Sequence, residues 1–129
     1  MAAGNWMPEL IRAAGAEPVF GVTGEHSPWL TWTAIAEADP DVIVLLPCGW
    51  GLERTRRELA CVMSQPEWPR LAAARAGQVA LADGNRFFNR PGPRLVESAE
   101  ILAEIVYPEA FPHATHRGDA WEWLGPTVC

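Results

Sequence analysis

Cys48, at the end of an apolar run, and His26, in a Gly- and Ser-containing stretch, have the residue types of a thiolate nucleophile and its base. No third residue stands out to orient the imidazole. A cysteine beside a buried strand also serves as a small hydrophobe, so a thiol enzyme built on Cys48 and His26 is the lesser of two readings. His113 and His116 are spaced to share a metal. They stand in a Pro-containing stretch without a Cys or acid partner nearby, which reads as solvated. Gly49-Trp-Gly51 follows a strand pattern as a dinucleotide loop would, but the third glycine and the acid closing the next strand are missing. Arg86, Arg90 and Arg94 recur every four residues. They suit either an anion at the start of the last helix or a surface around a rigid Pro-Gly-Pro turn. The tripeptide Arg117-Gly-Asp119 reads as a chance match.

The elements that must position these residues follow from periodicity. Residues 5–14 carry Trp6, Leu10, Ile11 and Ala14 on one helical face, with Asn5 as cap, Pro8 in the first turn and Gly15 as the stop. Pro18–Phe20 reads as a short strand and Gly21–Pro28 as a loop. Thr31 caps a helix to Ala38, closed by Asp39 and Pro40. The strongest signal is Asp41-Val-Ile-Val-Leu-Leu-Pro47. Its five consecutive large apolar residues predict a strand covered on both faces, as in a parallel sheet under helices. Cys48–Gly51 is then a turn, Leu52–Met63 a helix with a charged, solvated face, and Gln65–Pro69 a break. A short helix over 70–76, a strand over 78–82, the loop Asp83–Gly92 and a helix from Pro93 to Pro108 complete the pattern. Glu109–Cys129 shows no periodicity.

This order predicts a small α/β layered domain, with ligands meeting the loops at the carboxyl ends of its strands. Those loops, Gly21–Trp32, Cys48–Gly51 and Asp83–Arg90, hold His26, Trp29, Trp32, Trp50, Phe87 and Phe88. The seven tryptophans among 129 residues are too bulky and too polar to be routine core filler, so several should line a cleft or an interface. A single domain fits the length. The net charge of −6, with every one of the ten bases an Arg, speaks against nucleic acid as a partner. Three cysteines at wide spacings form neither a disulfide framework nor a zinc pattern. No run is long and apolar enough for a membrane span, and no signal peptide is legible. Taken as complete, the chain would stay in the cytoplasm.

Five segments in order, Gly4-Asn-Trp-Met-Pro-Glu-Leu-Ile-Arg-Ala-Ala-Gly15, His26-Ser-Pro-Trp29, Ala38-Asp-Pro-Asp-Val-Ile-Val44, Leu71-Ala-Ala-Ala-Arg-Ala-Gly77 and Asp83-Gly-Asn-Arg-Phe-Phe-Asn-Arg-Pro-Gly-Pro-Arg-Leu95, resemble the C-terminal lobe of cobalamin-binding proteins of ABC importers. These belong to the class III periplasmic binding proteins, which also carry iron-siderophores and haem. The resemblance covers residues 2 to about 112. It implies a three-layer, Rossmann-like parallel-sheet lobe over residues 1–112, followed by an irregular tail over 113–129. It also implies that the strand normally preceding the first helix is absent, together with the opposing lobe.

What else the resemblance implies is a binding protein rather than an enzyme, located outside the cytoplasm. Cobalamin or a related corrinoid or metal chelate is its cargo, and no resident cofactor or metal is called for. The ligand contacts would be His26, Trp29, Trp50, Arg86, Phe87 and Phe88. In this family an acidic residue docks each lobe onto arginines of the permease, and Thr33 stands where that acid is expected. Partners would be the ABC permease and either the missing lobe or a second copy paired through an open sheet edge. A stand-alone corrinoid carrier that has lost transport is the alternative within the same class.

Overall fold

The computed structural model describes residues 1–125. The apolar run after Asp41 forms β1 (Ile43–Leu45), and Val79–Ala82 forms β2, buried at all four positions. The two pair in parallel, Ile43 opposite Val79 and Leu45 opposite Leu81. The third strand, β3 (Trp121–Trp123), lies antiparallel to β2, with Trp121 opposite Ala82 and Trp123 opposite Ala80. The sheet order β1-β2-β3 is therefore mixed rather than parallel, and β1 sits at an edge.

Around the sheet run α1 (Met7–Ala13), α2 (Trp32–Ala38), α3 (Leu52–Arg57), α4 (Leu59–Met63), α5 (Ala72–Arg75) and α6 (Leu95–Val106), with 3₁₀ turns at Trp68–Arg70 and Pro108–Ala110. Alternation along the strands divides the core. Val44, Ala80, Ala82 and Trp121 pack with Met7 of α1 and with Ile101, Leu102 and Ile105 of α6. Ile43, Leu45 and Val79 pack with Trp32 and Ile35 of α2, Val62 and Met63 of α4, and Trp68 and Leu71.

Local chemistry accounts for the boundaries. The Thr31 hydroxyl accepts the Ala34 N–H at 3.1 Å and caps α2 as expected. Asp39 ends that helix at φ +42°, and its carboxylate accepts the Ala72 N–H at the start of α5 at 2.9 Å. Glu58, at φ −93° and ψ 3°, separates α3 from α4 where one continuous helix was predicted. Asn5 does not cap α1. It takes φ +56° and bridges to Thr23, so Trp6 occupies the capping position without a side-chain bond.

Pro18–Phe20 forms no strand, and Val19 is half exposed. The α6 helix starts at Leu95, two residues past the predicted Pro93. Its far end is tied to α1, because the Tyr107 hydroxyl donates to the Gly15 carbonyl. No helix of the described residues is long and apolar enough to cross a membrane.

Candidate functional site

Two of the three predicted loops converge at the carboxyl ends of β1 and β2. The Asn85 N–H donates to the Trp50 carbonyl at 3.2 Å, and the Cys48 thiol donates to the Asn89 side-chain carbonyl. Gly84 permits this approach. A Cβ built there would stand 2.1 Å from the Pro47 carbonyl oxygen and 2.8 Å from that of Leu46, both rigid backbone atoms. Asp83, 7% exposed, shapes the second loop by accepting the N–H groups of Asn85 at 3.1 Å and Arg86 at 2.8 Å.

The side chains presented there are cationic and aromatic. The Arg54 guanidinium lies 4.3 Å from the centre of the Trp50 ring. That contact covers one face of a half-buried indole. Arg86 reaches Asp119 with a two-pronged contact, 3.1 and 3.3 Å to the two carboxylate oxygens. The hydrogen bond and charge of Arg86 hold the Asp119 carboxyl below the usual carboxylate range. Asp119 in turn raises the Arg86 guanidinium above its ordinary value.

The other predicted residues are placed differently. Phe87 and Phe88 are 4% and 6% exposed and belong to the core over α6, so the structure puts these rings inside the fold rather than on an open wall. Arg86 and Arg94 lie 4.8 and 5.3 Å from the Phe87 ring centre. Of the arginine series, these two gather at one ring. His26 is exposed, and its loop is tied to the N-terminal segment: Ser27 Oγ accepts the Gly4 N–H at 3.1 Å, and the Pro28 carbonyl accepts the Ala2 N–H at 3.0 Å. Trp29, in the same loop, is 84% exposed. Cys48 has Asn89, not His26, as its partner, so the geometry supplies no thiol–imidazole pair. Thr33 is exposed on α2.

Sequence reasoning missed the part played by residues 114–123. His116 is not free in solvent: its Nε2 is 2.8 Å from Glu100, and its backbone N–H donates to the buried Glu104 carboxylate at 3.2 Å. Arg117-Gly-Asp119 is a turn, with Gly118 at φ +92° donating to the Trp121 carbonyl. It leads into β3 and delivers Asp119 to Arg86. Arg56, expected on a solvated face, pairs with Glu122 of β3 at 2.7 Å. The one legible signal was the Trp-Glu-Trp alternation at 121–123, too short to separate from chance. Among the described residues, no cluster of three or more His, Cys, Asp or Glu side chains could hold a metal.

The family model of the periplasmic binding proteins matches residues 1–85, from the first residue through the end of β2 into the Asp83 turn. The chain belongs to that family. No curated protein and no solved structure matches it. The match spans α1 to β2 and both converging loops up to Asn85, while α6 and β3 lie beyond it.

Proposed function

We propose that the chain is one ligand-binding lobe of a class III substrate-binding protein serving an ABC importer, and that it takes cobalamin or a related corrinoid or metal chelate. Family membership supports a binding role in transport and an extracytoplasmic location. The observation that carries the ligand face is the junction of the Trp50 and Asn85 loops at the ends of β1 and β2, with Arg54 on Trp50 and Arg86 alongside. A corrin is a broad apolar ring with amide edges. Indole faces supply contact area, and loop amides and arginines satisfy the edges. In this reading Trp29, Trp50, Arg86 and His26 are the contacts, and Phe87 and Phe88 support the loop from beneath.

A permease is the partner for transport, and Thr33 in place of an acid weakens that docking. One lobe covers one face of such a ligand, whereas well-bound small molecules have roughly 70–90% of their surface buried. The cost of immobilising the ligand remains in full. The lone chain therefore binds cobalamin on the order of micromolar or more weakly. It also self-associates through the β1 edge, where Val44 has apolar neighbours on both sides and, among the described residues, no strand lies beyond it in the sheet. Titration calorimetry with cyanocobalamin, run with light scattering, tests both statements. A monodisperse monomer with nanomolar affinity would refute the one-lobe reading.

A further inference from the structure

At the opposite end of the sheet, where β2 begins and β3 ends, lies a cleft of about 680 Å³. Its walls are the side chains of Met63, Trp68, Ala74 and Trp123, drawn from α4, the 3₁₀ turn, α5 and β3, together with Leu124 just past β3. This volume falls within the roughly 300–1,000 Å³ of small-molecule sites. The Trp68 ring N–H is itself buried and has no acceptor among the described residues. Among the described residues, Arg75 is the only charged side chain on the lining.

The charge pattern decides what fits. The chain has sixteen acids against ten bases, yet among the described residues no carboxylate lines this cleft and Arg75 makes no ion pair. Three of the other nine arginines are matched among the described residues, Arg12 with Glu17, Arg56 with Glu122 and Arg86 with Asp119, so what sets Arg75 apart is its place on the rim of this cleft. An exposed guanidinium without a counter-charge, at the rim of an apolar, tryptophan-walled hollow, complements a molecule with a flat apolar body and one anionic group. We infer that the cleft between α4, α5 and the end of β3 is a second binding site, for an amphipathic aromatic monoanion. It is separate from the corrinoid face, which lies at the other ends of β1 and β2, and it does not rest on the corrinoid reading.

The test uses two fluorescent probes on the full chain: 8-anilinonaphthalene-1-sulfonate, an aromatic monoanion, and N-phenyl-1-naphthylamine, its uncharged counterpart. Arg75→Gln, at an exposed position that disturbs no packing, should weaken the sulfonate probe about tenfold and leave the neutral probe unchanged. Ala74→Phe should fill the cleft and remove both. Trp50→Ala, at the far end of the sheet, should change neither, which separates this site from the proposed corrinoid face. Equal sulfonate affinity in wild type and Arg75→Gln overturns the inference, as does undiminished binding of both probes to Ala74→Phe. A further variant ending at Gly125 should bind as the full chain does. Binding that emerges only after residues 126–129 are removed would also overturn it, because the cleft would then belong to the chain itself.

Discussion

The indole N–H of Trp121 donates to the carboxylate of Glu104 at 2.7 Å, joining β3 to α6 where both residues are almost fully buried. The same carboxylate accepts the His116 N–H, so one acid on α6 fixes both ends of the turn that leads into β3. A buried carboxylate is tolerated because donors surround it, and the donors depend on it in return. Glu104→Ala leaves two donors without an acceptor and should cost about 2–4 kcal/mol of stability, with Glu104→Gln costing less. Urea unfolding followed by Trp fluorescence reads both. Equal stability of the alanine variant and wild type would show that the segment is held by packing alone.

Asp119 supplies the pH dependence. Its carboxyl lies below the usual range in the folded chain, chiefly through its hydrogen bond to Arg86. A depressed acid contributes stability above its unfolded value and loses it as pH falls through the folded value. The Arg86–Asp119 contact therefore stays closed across neutral and mildly acidic pH and opens only below the ordinary carboxylate range. The raised Arg86 value would matter only in strong alkali. Carbon-detected NMR titration of the Asp119 carboxyl should give a midpoint below that of an unpaired aspartate, and Arg86→Gln should return it to the usual range. An unshifted midpoint in wild type would remove the pair as a tether.

Gly84 should not tolerate a side chain. Its Cβ would stand inside contact distance of two backbone oxygens that cannot move without separating the loops after β1 and β2. Gly84→Ala should destabilise by about 1–3 kcal/mol and shift Trp50 fluorescence, since the Trp50 carbonyl is held by Asn85 next door. A melting temperature and emission spectrum equal to wild type would contradict the close approach.

Phe87 and Phe88 distinguish fold from ligand wall. Each ring is in the core, so Phe88→Ala should cost about 3–4 kcal/mol. Trp29→Ala, at an exposed position, should stay within about 0.5 kcal/mol of wild type. Chemical denaturation of the two variants side by side checks the contrast.

What the sequence reveals of this fold is what local chemistry controls. Five apolar residues in a row announce β1, Thr31 announces its helix, and loop positions follow from Gly and Pro. The division at Glu58 needed tertiary context, because Leu52–Met63 keeps helical spacing throughout. The antiparallel strand at 121–123 was hidden for a similar reason: three residues hold no period, and their pairing with β2 relies on Glu104, Arg56 and Arg86 from distant segments. Pro18–Phe20 has strand-forming residues but, among the described residues, no strand beside it to bond. At the candidate site, spacing located the loops that carry Trp50 and Arg86. It could not separate Phe87 and Phe88, which face the core, from Trp29, which faces water, since all are aromatic residues on loops.

The proposed corrinoid face is built on the loops after β1 and β2, with Trp29 added from the loop over 21–32. Quenching of intrinsic Trp fluorescence by cyanocobalamin, titrated into wild type, Trp29→Ala, Trp50→Ala and Arg75→Gln, tests it most directly. Saturable quenching is expected in wild type, weakened on the order of tenfold in Trp50→Ala and to a smaller extent in Trp29→Ala on the third loop, with Arg75→Gln unchanged at the far end of the sheet. Equal affinity in wild type, Trp29→Ala and Trp50→Ala would contradict it, as would the absence of saturable quenching at millimolar cobalamin.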